Sequence, residues 1–220
     1  MMRRAPSSER GVAMLVVLVF TLALTGIAIV SARLALLGEG LARNQLDLQV
    51  ARQAAEAALR DAEKDLMIAD GKLEFPGAVC KRDVQRPVLN RITDFTKDCL
   101  RGQCLVDSKA RSNVDFVKAA GNAELAEAWW PEDRGGRWGA PADGKPRAGN
   151  TGPCEAFKGA VPLGSFTGAR AIQGVAFQPE YLIEAIERGT DYYFRITARG
   201  FGYRAGTEVV LQSYFLVPEL

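Results

Sequence analysis

An uncharged run of 21 residues near the N-terminus constrains the fold of this chain most strongly. It extends from Val12 to Ala32 and reads VAMLVVLVFTLALTGIAIVSA. As an α-helix rising about 1.5 Å per residue, such a run spans the roughly 30 Å of hydrocarbon in a bilayer. Arg3, Arg4 and Arg10 precede it, and basic residues favour the cytoplasmic side of a membrane. We therefore predict one membrane-spanning helix, 12–32, with a cytoplasmic N-terminus and an external remainder.

The helix is predicted to continue beyond the membrane. Leucines and alanines recur at spacings of three, four and seven: Leu34, Leu37, Leu41, Leu48, Ala55, Leu59, Ala62 and Leu66. Charged residues occupy most of the other faces: Arg43, Asp47, Arg52, Glu56, Arg60, Glu63 and Lys64. This pattern is typical of an amphipathic helix with a narrow apolar stripe. We predict that helix over 33–70, followed by a globular domain over 71–220.

The composition excludes several kinds of site. Histidine is absent, which removes Ser-His-Asp and Cys-His nucleophile pairs and the commonest zinc sites. There are 28 basic and 26 acidic residues, and a net charge of +2 argues against nucleic acid binding through bulk charge. No phosphate-binding loop and no nucleophile with a base stands out. The expectation is a protein without catalytic residues, without a metal site and without a cofactor.

The four cysteines are expected to form disulfides, because the predicted topology places them in an oxidising compartment. They are Cys80, Cys99, Cys104 and Cys154. Three pairings are possible in principle. We favour Cys99–Cys104, across a short loop, together with Cys80–Cys154; Cys80–Cys99 with Cys104–Cys154 is the next alternative. A zinc site is disfavoured because the spacings lack paired short knuckles.

Motifs at the N-terminus resemble those of a known family. Glu9-Arg10-Gly11 before the apolar run is similar to a type IV prepilin cleavage site, with the cut after Gly11 and Val12 as the new N-terminus. Two segments, 10–18 and 53–63, resemble PilX-type minor pilins. Three later segments of this chain, 178–184, 192–200 and 211–213, resemble the C-terminal strands of the same minor pilins.

This resemblance implies a domain plan and a set of partners. Residues 1–11 would be a leader peptide removed by a prepilin peptidase, and the Val12 amine would then be methylated. The chain would wait in the inner membrane of a Gram-negative bacterium and then enter a type IV pilus in the periplasm and at the cell surface. Its partners there would be other minor pilins and the major pilin, in a tip or initiation complex that supports pilus assembly, twitching motility and adhesion.

Val16 departs from the general pilin pattern. It would be the fifth residue of the mature chain, where most pilins carry a glutamate that pairs with the N-terminal amine of the next subunit. A buried carboxylate is costly unless it is paired. A subunit at the tip of a filament has no need of this pair, so Val16 favours a tip role; the alternative is that such subunits pair by packing alone.

A long Gly/Pro-rich segment follows two tryptophans. Ten of the 23 residues from Pro131 to Pro153 are Gly or Pro, which predicts a loop. Its aromatic and basic residues could form a recognition loop, because such residues dominate binding hot spots; they are Trp129, Trp130, Arg134, Arg137 and Trp138. The other interpretation, which we favour, is that the tryptophans pack back onto the domain.

The C-terminal part is predicted to be a sheet. Apolar runs at 172–176 and 181–186, an alternating stretch at 192–199 and a returning strand at 208–217 predict about four antiparallel strands. Arg195 and Arg199 share one face, which could bind an anion but is more simply a solvated strand face. The expected fold class is α+β, with the long helix packed on a small antiparallel sheet.

Two other functions remain open from the sequence. A minor pseudopilin of a type II secretion system shares the long helix and can also lack the acidic residue. A single-pass inner-membrane binding protein that is never cleaved would share the membrane span.

Overall fold

The computed structural model describes residues 10–69, 77–82, 95–105, 127–131, 135–139, 154, 158–188 and 191–215. These residues form one long helix and a five-stranded sheet, which confirms the α+β class. The elements are α1 (Arg10–Ala69), β1 (Gln103–Leu105), β2 (Val161–Pro162), β3 (Glu180–Arg188), β4 (Asp191–Phe201) and β5 (Glu208–Phe215). By contacts the chain divides into two units, Met1–Leu46 and Asp47–Leu220.

The sheet is mixed, whereas the sequence predicted an antiparallel one. Its strand order is β1-β3-β4-β5, with β2 also paired to β3. Strands β3, β4 and β5 form the predicted antiparallel meander, but β1 is parallel to β3. A parallel pair requires a long connection, which the chain between β1 and β3 supplies. Strands of two and three residues are too short to show a periodicity in the sequence.

The segment 172–176 forms turns, so the strand predicted there is wrong. The side-chain amide of Gln178 forms hydrogen bonds with both backbone groups of Ile172. The Ile172 N–H donates to Gln178 Oε1 at 2.9 Å, and Gln178 Nε2 donates to the Ile172 carbonyl at 2.8 Å. These are the backbone groups that a sheet ladder would use. Gly174 has a φ of +81°, a turn conformation that glycine adopts without steric cost.

Strand β4 is buried on both faces, which corrects the prediction of a half-buried strand. Its helix-facing side chains Phe194, Ile196 and Ala198 are fully buried. On the opposite face Arg195 and Arg199 are only 9% and 6% exposed. A second layer of the chain therefore covers the side that the sequence assigned to solvent.

The buried stripe of α1 consists mainly of alanine and aspartate, with Leu66 near its end. Its members are Asp47, Ala51, Ala54, Ala55, Ala58, Asp61, Ala62, Asp65 and Leu66. Leu48, predicted to lie in the stripe, is 52% exposed, and Asp47, predicted on an outer face, is 2% exposed. Small side chains let the helix axis approach the sheet closely, which leucines would prevent.

Candidate functional site

The N-terminal part of α1 presents apolar side chains to its surroundings. One helix among the described residues is long and apolar enough to cross a membrane, with a mean hydropathy of 2.7 in its most apolar 18-residue window. Val12 is 69% exposed and Val16 is 47% exposed. Other large apolar side chains throughout this stretch are exposed as well. So extensive an apolar surface needs lipid or protein against it.

Two threonines in this stretch satisfy their hydroxyls within the helix. Thr21 Oγ1 donates to the Leu18 carbonyl at 2.9 Å, and Thr25 Oγ1 donates to the Leu22 carbonyl at 3.0 Å. A hydroxyl without a partner is costly in hydrocarbon. Because both donors are used locally, these threonines are compatible with an apolar environment.

Asp47 joins the helix to the turn between β4 and β5. Its Oδ1 accepts from the Tyr203 N–H at 2.6 Å, and its Oδ2 accepts from Thr207 Oγ1 at 2.6 Å and Arg204 Nε at 3.1 Å. The Thr207 hydroxyl lowers the pKa of this carboxyl most; burial raises it, but the Tyr203 and Arg204 donors lower it further. Asp47 is therefore held ionised and fixes the 202–207 turn against the helix.

Gly200 in β4 and Gly202 just after it allow the close approach of helix and sheet. A Cβ at Gly200 would lie 2.2 Å from the Ala55 nitrogen and 2.3 Å from the Ala51 oxygen. A Cβ at Gly202 would lie 2.2 Å from Asp47 Oδ1. No side chain fits at either position without moving the helix.

A second aspartate of the stripe holds the loop after β2. Asp61 Oδ2 accepts from the Gly164 N–H at 2.7 Å, and Oδ1 accepts from the Thr167 hydroxyl. Burial raises the pKa of Asp61, and these two hydrogen bonds offset only part of that effect. The 164–167 loop is thus anchored to the helix by one carboxylate.

The third aspartate lies in a buried ion pair. Arg82 donates to both oxygens of Asp65, at 2.8 Å and 2.6 Å, and Tyr181 donates its hydroxyl to Oδ2 at 2.8 Å. Burial, and then the Asp65 charge, raise the pKa of Tyr181 well above its usual range. The Arg82 guanidinium also lies 3.7 Å from the centre of the Phe166 ring, which covers the pair.

The opposite face of the sheet carries two cross-strand ion pairs. Arg195 donates to Glu184 at 2.7 Å and 2.8 Å and also contacts Glu127. Arg199 donates to Glu180 from Nε at 3.0 Å and from Nη2 at 2.6 Å. These arginines are neither solvated nor available to an external anion, so both interpretations drawn from the sequence are corrected.

The electrostatics of Arg195 follow from these contacts. Burial acts to lower the pKa of its guanidinium, but the hydrogen bonds and charges of Glu184 and Glu127 outweigh burial and raise it. Arg195 therefore stays charged, and its partners compensate that charge in the protein interior.

The tryptophans cover this layer. Trp130 and Trp138 are 6% and 5% exposed, and Trp138 donates its indole N–H to the Trp129 carbonyl at 2.9 Å. The Trp138 ring lies 4.7 Å from the Arg199 guanidinium carbon. These side chains pack onto the domain, which is the interpretation that we favoured.

Of the two arginines in the predicted recognition loop, the structure describes only Arg137. Arg137 lies beside Asp98, at 3.6 Å. Arg134 lies outside the described residues, so the recognition hypothesis stays a prediction.

The cysteines form two disulfides, Cys80–Cys154 and Cys99–Cys104, the pairing favoured from the sequence. The first fixes the segment 77–82, which carries Arg82 to the ion pair with Asp65. With their sulfurs paired, the cysteines offer no thiolate to zinc. Among the described residues, no group of three or more His, Cys, Asp or Glu side chains could hold a metal ion.

Gly11 and Val12, where processing is predicted, lie at the start of α1, and Val16 lies one turn further; the processing stays a prediction. The sequence missed Asp47, Asp61 and Asp65 as helix-to-domain contacts. Their spacing of 14 and 4 residues places them on the stripe of the buried alanines, and this is the signal that could have found them. The sequence offered no comparable signal for Arg82, whose partner lies on another element.

Comparison with known families decides what kind of protein this is. The family profile described as Type IV pilus assembly protein PilX C-term matches residues 101–217, more than half of the chain and all five strands. The chain belongs to this family. It is thus a minor pilin concerned with type IV pilus assembly, as the resemblance implied. No curated protein and no solved structure matches it.

Family membership has coarse consequences for its location and partners. A pilus assembly protein acts together with other pilus components, and its apolar N-terminal helix fits anchoring in a membrane. The PilX family is a structural pilus component rather than an enzyme family. The matched range excludes α1, so the N-terminal half rests on the motifs and the structure alone.

Proposed function

We propose that this minor pilin belongs to the complex that initiates the pilus and then occupies its tip, where it supports twitching motility and adhesion. Residues 1–11 are a leader removed by a prepilin peptidase, and the Val12 amine is methylated. The domain plan is the one predicted from the sequence: a core segment 12–32, its amphipathic continuation 33–70 and an external domain 71–220. Before assembly the chain spans the inner membrane once, with its N-terminus in the cytoplasm.

The observation that carries this proposal is the apolar residue at position 16 of an exposed apolar helix. If Gly11–Val12 is cleaved, Val16 is the fifth residue and offers no carboxylate to the amine of a neighbouring subunit. Its side chain is 47% exposed along the helix, so a neighbour can reach it only by apolar packing. A subunit at the tip has no further subunit above it to pair with, so apolar packing at Val16 is sufficient.

Substitution at position 16 tests the tip role. Val16→Glu places a carboxylate in an apolar environment where a tip subunit meets no amine, at a cost of about 2.5–3.5 kcal/mol. We expect fewer pili per cell and less of this chain in sheared pili, whereas Val16→Leu should leave both unchanged. An increase in incorporation for Val16→Glu would show that the subunit lies inside the filament, which contradicts the proposal.

Deletion of the gene tests the pathway. Loss of surface pili and twitching with normal enzyme secretion supports a pilus role. Loss of secretion with normal pili would identify a pseudopilin of a type II secretion system instead. A mature chain that still begins at Met1 would favour an uncleaved single-pass binding protein.

A further inference from the structure

The outer edge of β5 lacks the features that usually protect an exposed strand. Among the described residues, β5 is hydrogen-bonded to β4 along one edge, and no strand pairs with its other edge. The sequence from Val209 to Phe215 is VVLQSYF, which contains no charged residue, no proline and no glycine. Sheet edges usually carry lysine, proline or a bulge that prevents pairing with another chain.

The side chains of β5 leave both faces of the sheet unfinished. Those facing the helix, such as Leu211 and Phe215, are half-buried, whereas their β4 partners Ala198 and Phe194 are fully buried. On the other face Tyr214 is 67% exposed and Val210 is 41% exposed. An additional strand beside β5 would contact apolar side chains on both faces of the sheet.

We propose that β5 pairs along this edge with an extended, uncharged strand from another subunit of the pilus. Unpaired N–H and C=O groups along a strand select an extended backbone. The absence of charge from Val209 to Phe215 selects a strand that is itself apolar or aromatic. The inference rests on the proposed function, because it takes the partner from the same pilus.

The direction of the helix argues for a different subunit rather than a second copy. Asp47 lies beside Gly202, and Ala51 lies beside Gly200, so α1 runs opposite to β4 and in the direction of β5. Two β5 strands paired antiparallel about a two-fold axis would therefore carry their helices in opposite directions. The Asp47 ends of the two helices would then lie at opposite ends of the pair, which does not suit two chains anchored in one membrane.

Photocrosslinking in cells that carry the full chain and the remaining pilus proteins tests this proposal. The photoreactive residue p-benzoylphenylalanine replaces Tyr214 in one strain and Tyr203 in another. Tyr203 is 61% exposed and lies in the 202–207 turn, so it controls for exposure without lying on the edge. We expect adducts from position 214 that mass spectrometry maps to a strand of another pilus subunit, at several times the yield from position 203.

A substitution on the same edge provides the second measurement. Val210 is 41% exposed and Tyr214 is 67% exposed, so a glutamate at either position keeps its charge in water and the domain should still fold. In the strain with the photoreactive residue at 214, Val210→Glu should lower the adduct yield severalfold. Val210→Glu with Tyr214→Glu should reduce pili, and Tyr203→Glu should not.

Several results would overturn the inference. Adducts within the same chain, adducts to a second copy, equal yields from positions 203 and 214, or no effect of Val210→Glu would each contradict it. If deletion of the gene abolishes pili while no subunit adduct forms at position 214, the pilus role stands and the edge pairing fails. If deletion leaves pili intact, the proposed function itself fails.

Discussion

Three aspartates on one face of α1 differ in what they hold. Asp47 binds the turn between β4 and β5, Asp61 binds the loop after β2, and Asp65 binds Arg82. The pKa of Asp61 is raised because burial has the largest effect on it, whereas the pKa of Asp47 is lowered because the hydrogen bond from Thr207 has the largest effect there.

The lowered pKa of Asp47 predicts a pH-dependent stability. Because its pKa in the folded state is below its ordinary value, ionised Asp47 adds stability that is complete above about pH 4. This stability is lost as the pH falls through the folded pKa. In urea unfolding in detergent, we expect Asp47→Asn to be less stable than the wild type at pH 7, with a difference that shrinks below pH 4.

Asp98 provides the matched control for this measurement. Its pKa is also lowered, chiefly by a hydrogen bond from Lys158, but its side chain is 50% exposed. Exposed ion pairs contribute about 0–1 kcal/mol, so Asp98→Asn should change stability little at any pH. Equal effects of the two substitutions would contradict the role given to Asp47.

Gly200 is predicted to tolerate no side chain. Gly200→Ala puts a Cβ against the backbone of Ala51 and Ala55, and the helix must move away from β4. Overpacking of this kind costs about 1–3 kcal/mol, which should lower the midpoint of thermal unfolding. Gly206→Ala, where nothing lies within 4 Å, is the control and should leave the midpoint within a degree or two of the wild type.

At the scale of elements, the two disulfides are predicted to differ in their contribution. Cys80–Cys154 closes a sequence separation of 74, and Cys99–Cys104 closes a separation of 5. Loop-closure entropy gives about 4 kcal/mol for the first and about 2 kcal/mol for the second. Chemical unfolding of the Cys80→Ser/Cys154→Ser and Cys99→Ser/Cys104→Ser variants should show this order, and the reverse order would contradict it.

The elements that the sequence predicted are those with a long, regular period. The helix was predicted over 12–70 and lies at Arg10–Ala69, and the meander strands were found within a few residues. The stripe was predicted in part, since Ala55, Ala62 and Leu66 are buried. Ala51, Ala54 and Ala58 were missed because leucine outweighs alanine in a hydrophobic pattern. The second face of β4 was missed because arginine in an alternating strand indicates solvent unless its carboxylate partners are known.

At the scale of the whole molecule, processing at the N-terminus is predicted to control incorporation. Gly11→Val adds a branched side chain at the bond that a prepilin peptidase would cut. We expect this variant to keep its leader, to remain in the inner membrane and to be absent from sheared pili, as judged by N-terminal mass spectrometry of both fractions. Gly26→Ala, at a position with open space around it, should be processed normally; cleavage of Gly11→Val would argue against the processing site.

The sequence predicted the family of the chain better than the interior of its domain. The apolar helix and the family motifs are local features, readable from consecutive residues, whereas the leader and the role of Val16 stay predictions. The ion pairs of Arg82, Arg195 and Arg199 join residues distant in sequence, and nothing in a single sequence reports such pairs.

The bond between Cys80 and Cys154 has a mechanical consequence for a subunit of a pilus. A protease that cuts the chain once between these two cysteines produces two fragments that remain covalently joined through sulfur. Tension entering at the helix would still reach the last strands through that link. Such a cut would therefore become visible as a shorter polypeptide only after a reductant is added.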